Sequence, residues 1–326
     1  MKNIRFERNK DKVLVVAGCS HTQGSAFVRK IARPKLIKGK EHYELNTPQL
    51  KTKYKKDYIT PEWLTENLTW GGKLKKLIRA DKVINFGFGG FGIESVIRSL
   101  RNYSYKVDDL TNTLFVIQVP SASRKEVFVV KDDGTVHRDG IRNIARSAQG
   151  DPFGFMPPDE IKMTLVNNYY DSDVVEIELY FELYALQTYL ESKGAMVRMF
   201  FSPFTNVEIN STLQVLKYKH TLKDWDDVSL YKDLHAHLDF EEMFNKLNTI
   251  DLSNLQQIRN KNMKNPRQWT LNSDKTVPGD AHYNEEGNKA LAICIKENIN
   301  RKANPIELEQ VVEMEEEGEK VIKTLI

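Results

Sequence analysis

Val13-Leu14-Val15-Val16-Ala17-Gly18-Cys19-Ser20-His21-Thr22-Gln23-Gly24 is the stretch that decides how this chain is read. The run Val13–Ala17 is apolar throughout, without polar alternation, as expected of a strand buried on both faces of a parallel sheet. Gly18 ends it, and a serine stands two positions later. Three further short runs share this character: Lys82–Phe86, Leu114–Val119 and Met196–Phe201. Helical periodicity alternates with them. Ile93–Leu100 follows the second run. Val174–Ser192 reads as a long amphipathic helix with apolar positions at Ile177, Tyr180, Phe181, Tyr184, Leu186 and Leu190, and with Gly194 as its stop. Glu285–Asn300 is another helix and closes the globular part. Alternating strands and helices predict an α/β chain of flavodoxin-like type, three layers (α/β/α) around a mainly parallel central sheet.

The pattern is interrupted in three places. A single domain over residues 1–302 therefore carries insertions at about 34–70, 123–165 and 203–279, followed by an acidic tail at 303–326. The first insertion is rich in lysine, with Lys51, Lys53, Lys55 and Lys56 close together. The second contains Glu126–Lys131, then Asp132-Asp133-Gly134, then Thr135–Arg138, the pattern of a β-hairpin with a tight turn. It leads into the Gly/Pro-rich loop Gly150–Pro158. The third is polar, with weak helices around 224–247. The tail, with Glu315-Glu316-Glu317, reads as a solvated helix or as an extension that meets a protein partner.

The chain has 326 residues, 29% charged and 40% hydrophobic, with a formal net charge of +3. That composition suits a soluble globular protein and demands no nucleic-acid partner. Two cysteines, Cys19 and Cys294, make no disulfide framework, which fits a reducing compartment. No apolar run reaches the length of a membrane span. The N-terminal MKNIRFERNKDK lacks the continuous apolar core of a signal peptide. A cytoplasmic protein that does not engage a membrane is expected.

In open α/β sheets reactive groups collect beyond the carboxyl ends of the strands. Ser20 lies there, as do Gly87–Gly92 and Ser121, while Asp280-Ala281-His282-Tyr283-Asn284 precedes the last helix. A serine hydroxyl needs a base, and the base needs a carboxylate to orient it. The chain offers the three groups in the order Ser20, Asp280, His282. The glycines at 87, 89, 90 and 92 permit close backbone approach, which a site built from main-chain N–H groups would use.

These blocks resemble the SGNH (GDSL-like) hydrolase family. Gly18-Cys19-Ser20-His21-Thr22 is similar to its Gly-Asp-Ser-like block, and Asn85-Phe86-Gly87-Phe88-Gly89-Gly90 to its second block. Asp280-Ala281-His282-Tyr283-Asn284-Glu285-Glu286-Gly287 is similar to its last block. The resemblance implies Ser20 as nucleophile, His282 as base and Asp280 as its partner. It implies an oxyanion site that includes the Ser20 and Gly90 N–H groups, with Asn85 in the same block. It implies ester hydrolysis or deacetylation, of a small acyl ester or an O-acylated carbohydrate, with no cofactor. The third block departs from the family, because Val119-Pro120-Ser121-Ala122-Ser123-Arg124 contains no Asn. Ser121 or Arg124 is left as the candidate in its place. Loss of one preorganised donor typically costs on the order of 10²–10³ in rate. A slower enzyme, a specialised one, and a non-catalytic binding or structural protein are all consistent with that departure. The compact insertions suit a bacterial or a viral enzyme.

Other readings remain open. Gly87-Phe88-Gly89-Gly90-Phe91-Gly92 matches Gly-x-Gly-x-x-Gly and would suit a nucleotide, although Asp108 and Asp109 precede the next strand instead of ending it. Cys19 is a rival nucleophile, which its place in the strand turn makes a buried structural thiol. His21, His235 and His237 with Asp280 and His282 would be the metal ligands if there were any. Trp63, Trp70, Trp225 and Trp269 suit either acyl-chain and carbohydrate contacts or ordinary packing.

Overall fold

The computed structural model describes residues 3–8, 10–24, 31–89, 92–120, 125–130, 136–141, 172–201, 246–250, 252 and 283–302. The first strand, β1 (Val13–Gly18), lies inside a four-stranded sheet with β5 (Lys82–Gly87), β6 (Thr113–Val119) and β9 (Met196–Phe201), in the order β5-β1-β6-β9. Every pairing is parallel. All four strands fall where the apolar runs predict them, within a residue at each end.

Side-chain alternation divides the core. Leu14, Val16, Leu114 and Val116 face one layer, and Val15, Ala17, Phe115 and Ile117 face the other. Helices α4 (Trp70–Ile78) and α7 (Glu285–Asn298) cover the first face. Helices α5 (Ile93–Tyr105) and α6 (Ser172–Ser192) cover the second. The chain leaves β1 for β5 on one side and then returns past it to β6 on the other. A topological switch point therefore lies at the carboxyl end of β1, where such sheets bind ligands.

Helix α6 buries Tyr180, Leu186 and Leu190 as predicted and departs from its predicted face at Phe181. Leu179, Tyr180, Leu183, Leu186 and Leu190 are buried, whereas Phe181 is 38% exposed. The core stripe is set by Leu183 and its neighbours at helical spacing. The predicted stop holds: Gly194 adopts φ +86, and Ala195 N–H donates to the Leu190 carbonyl at 3.1 Å.

The lysine-rich stretch is more ordered than the sequence suggests. It forms a three-stranded antiparallel sheet, β2 (Ala32–Ile37), β3 (Lys40–Leu45) and β4 (Tyr58–Ile59), with α2 (Pro48–Tyr54) and α3 (Pro61–Leu68). Thr47, Thr60 and Thr69 cap α2, α3 and α4, each accepting a hydrogen bond from a backbone N–H three residues on. Each cap contributes about 1 kcal/mol. Pro48 and Pro61 at the first helical positions reinforce two of them. Trp70 is fully buried against Phe200, so it packs the core instead of lining a loop.

The hairpin is present as β7 (Lys125–Val130) and β8 (Val136–Ile141), with Val130 opposite Val136. The loop Gly150–Pro158, most of 203–279, and the tail from 303 lie outside the described residues. Among the described residues, no helix is long and apolar enough to cross a membrane.

Asn288 joins α7 to the sheet-covering layer. It is 1% exposed, accepts from Trp70 N–H at 2.9 Å, and donates to the Tyr283 and Asn284 carbonyls at 3.3 and 2.9 Å. Asn288→Ala removes all three side-chain bonds, including the acceptor of the buried Trp70 N–H, and is expected to cost about 1–3 kcal/mol. A urea titration checks this by a lowered midpoint at unchanged slope.

Candidate active site

The strand that carries the serine ends under tight constraint. Gly18 has φ +153, and a Cβ at that position would lie 2.5 Å from Thr22 Oγ1 and 2.7 Å from the Gln118 carbonyl oxygen. Only glycine lets β1 turn so close to β6. The chain then forms α1 (Ser20–Gln23), with Thr22 and Gln23 N–H donating to the Cys19 carbonyl. Ser20 is its first residue. Cys19 is 3% exposed with a free thiol, as its place in the turn predicts.

This short turn is held from β5 and the two residues after it by three hydrogen bonds, and a fourth within β5 orients Asn85. Asn85 Nδ2 donates to the Thr22 carbonyl at 2.9 Å, and Asn85 Oδ1 accepts from Gly87 N–H at 2.8 Å. Phe88 N–H donates to the Gly18 carbonyl at 3.0 Å. Gly89 N–H donates to Gln23 Oε1 at 2.8 Å. A Cβ on Gly87 would stand 2.4 Å from Gln23 N, so the second glycine also permits a close approach. The N–H groups of Gly87, Phe88 and Gly89 are thus engaged inside the protein. A nucleotide phosphate would need such groups free, and this argues against the dinucleotide reading of the glycine run.

From β6 the turn is held by Gln118. Its side chain is fully buried, Thr22 Oγ1 donates to its Oε1, and its Nε2 has no partner among the described residues. Sequence reading missed this residue. The available signal was one polar side chain within an otherwise apolar buried strand.

The last helix begins against α4 and the core face of β1. Asn284 caps α7 by accepting from Gly287 N–H at 2.9 Å. Tyr283, 4% exposed, belongs to the same core cluster as Val16, Trp70 and Phe200. Glu285 accepts from Lys53 at 2.7 Å, from Tyr54 Oη at 3.1 Å and from Lys73 at 3.4 Å. Burial pushes the Glu285 carboxyl up, but the Lys53 hydrogen bond and the charges of Lys73 and Lys53 outweigh it, and the net direction is down. Tyr54 is pushed up, first by burial and then by the charge of Glu285. Glu285 and Lys53 both fall in stretches that the sequence analysis marks, the last block and the lysine cluster, but their pairing was not legible there.

Of the predicted site residues, Ser20 and Asn85 lie among the described residues, at the carboxyl ends of β1 and β5. Asp280, His282, Gly90, Ser121 and Arg124 lie outside them, as do His235 and His237.

No family model and no curated protein matches the chain. Among solved structures, it is similar to a member of the lipolytic protein G-D-S-L family from Veillonella parvula DSM 2008. The identity is 12%, covering 89% of this chain and 99% of that one, at a TM-score of 0.37. It is also similar to an alpha/beta hydrolase from the metagenome of Lake Arreo, Spain, at 11% identity, 87% and 93% coverage, and a TM-score of 0.37. The α/β assignment itself rests on the chain's own parallel sheet and flanking helices.

Two outcomes are expected. Thr22→Val removes the hydroxyl that satisfies Gln118 and costs about 1–3 kcal/mol, whereas Thr22→Val with Gln118→Met recovers most of it, because no buried polar end remains. A double-mutant cycle by chemical unfolding reads the coupling. For Glu285, the lowered folded-state pKa contributes stability that is present above the ordinary carboxylate range and lost as pH falls through the lowered value. The stability gap between wild type and Glu285→Gln is therefore expected to be larger at about pH 7 than at about pH 3.

Proposed function

We propose that the chain is a serine hydrolase of SGNH type that hydrolyses an ester, or removes an acetyl group, through an acyl-enzyme. Ser20 is the nucleophile, His282 the base and Asp280 its orienting partner. One observation carries this reading: Tyr283 is buried in one cluster with Val16. His282 is bonded to Tyr283, about 3.8 Å away between Cα atoms. Ser20 follows Val16 by four residues. That shared core supports the reading that the serine and the histidine, 262 residues apart in the chain, act at one edge of the sheet.

The chemistry uses only the protein's own groups. Ser20 Oγ bonds to the ester carbonyl carbon as His282 takes its proton, giving a tetrahedral oxyanion. The ester C–O bond breaks, and the alcohol leaves with the proton that His282 returns. Water then attacks the acyl-serine, His282 takes one of its protons, and the acid departs as Ser20 regains a hydrogen. The hydrogen bonds from β5 and β6 to the turn favour a preorganised serine, which lowers the cost of reaching the attacking geometry.

The absence of an Asn in Val119–Arg124 favours a second reading, an SGNH-fold binding protein with little activity. A fluorophosphonate probe separates the two. The hydrolase reading expects labelling of wild type and release of p-nitrophenol from p-nitrophenyl acetate. Ser20→Ala abolishes both, and His282→Ala slows them by about 10³-fold or more. Folded wild type that neither labels nor hydrolyses would leave the binding protein as the better account.

A further inference from the structure

Thr22, two residues after Ser20, is held by both strands that flank β1. Its carbonyl accepts from Asn85 Nδ2 of β5 at 2.9 Å, and its hydroxyl donates to Gln118 Oε1 of β6. Val16 stands opposite Asn85 and Ala17 opposite Ile117, so Gln118 comes level with Gly18, where the turn begins. Thr22 and Gln118 are both fully buried.

Stability gives a poor account of the carboxamide at 118. Alternation along β6 puts Gln118 on the face of Leu114 and Val116, and Phe200 stands opposite it on β9. All three of these neighbours are apolar. Gln118 brings a polar group into their layer, and its Nε2 has no hydrogen-bond partner among the described residues. A buried donor left unsatisfied is a cost to the fold. An apolar pair at 22 and 118 would fill the space without it. Such a pair would lack direction. A hydrogen bond prefers a near-linear donor and so fixes the rotation of the residue that carries it, whereas apolar contact is non-directional.

Direction matters at this turn. Helix α1 has four residues and is too short to hold its own shape. Residues two apart on an α-helix are separated by about 200° around its axis, so position 20 lies on the side of the turn opposite to Thr22. Tying Thr22 inward to β6 therefore sets the side on which position 20 stands. The bonds from Asn85, Phe88 and Gly89 locate the turn against β5 and the residues after it. The Gln118 bond adds a second strand, so that the turn does not pivot about the first.

We infer that Gln118 is a positioning residue for the nucleophile: through Thr22 it holds the serine turn at one rotation, and the pair serves the rate of the reaction more than the stability of the fold. This rests on the hydrolase reading above. Gln118 is fully buried and acts through Thr22, not on the substrate. A misplacement of about 1 Å in a reacting group costs on the order of 10²-fold in rate, and a turn free to pivot incurs a displacement of that size.

The test sets rate against stability. Thr22→Val with Gln118→Met removes both polar ends, and its urea midpoint is expected to lie near that of wild type. Its second-order rate of fluorophosphonate labelling and its kcat on p-nitrophenyl acetate are expected to fall about 10²-fold, with KM changed by less than about 3-fold. Thr22→Ser keeps the hydroxyl and is expected to stay within about 3-fold of wild type in both rates. A double variant that regains rate together with stability overturns the proposal, because the pair then serves folding alone. So does a loss that appears in KM at unchanged kcat, or a Thr22→Ser as slow as Thr22→Val. If the double variant does not fold, Thr22→Val and Thr22→Ser compared per folded molecule decide: a slow valine and a fast serine uphold the proposal, and equal rates overturn it. Each of these failures leaves the hydrolase standing. Folded wild type that neither labels nor hydrolyses removes the hydrolase reading itself, and with it the reaction that Gln118 would serve.

Discussion

Parallel pairing of β1 on both of its edges is the constraint on which the rest of this protein depends. A strand bonded to β5 and β6, with Leu14 and Val16 packed on one side and Val15 and Ala17 on the other, has no freedom to shift its register. Moving it by one residue would exchange the two faces of the core. The position of Gly18, and hence of the turn that carries Ser20, is therefore set by the interior of the sheet. The surrounding hydrogen bonds refine that position; they do not create it.

The refinement comes from two directions, with different energetics. The bonds from β5 are made largely by backbone, with Asn85 and Gln23 as short connectors, and they depend on glycines that let main chains approach. The bond from β6 uses a fully buried carboxamide, which can be replaced by an apolar pair at little cost but not halved. The α7 end is fixed otherwise again, by the Asn288 bridge to Trp70 and by one carboxylate shared among three side chains. That carboxylate ties the extra antiparallel sheet to the layer that enters the proposed site.

The parallel sheet was legible in the sequence because a strand buried on both faces needs a continuous apolar run, and four such runs occur. Helix ends were legible where Gly194 or Asn284 supplied the expected cap chemistry. The β2-β3-β4 sheet was not, because its strands, Arg33-Pro34-Lys35-Leu36 and Lys40-Glu41-His42-Tyr43, face water on one side and carry charge there. Polar residues on a solvated antiparallel face look like loop in a single sequence. The Thr47-Pro48 and Thr60-Pro61 pairs were the usable clue, since each marks a helix start. At the site, Ser20 was legible by its place after β1. Thr22, Gln118 and Glu285 were not, because their meaning lies in partners 96 to 232 residues away.

Helix α7 is anchored at both ends. Glu285 and Asn288 hold its start, and the buried Arg198 guanidinium donates to the Ile299 carbonyl at 2.7 Å near its finish. It also covers the face formed by Leu14, Val16, Leu114 and Val116. During synthesis α4 is made before β6, but the part of that face that α7 covers stays open until the residues up to 299 have cleared the ribosome. From the completion of β6 until α7 emerges, the nascent chain thus carries a partly covered apolar sheet surface, the kind of surface through which unfinished chains associate.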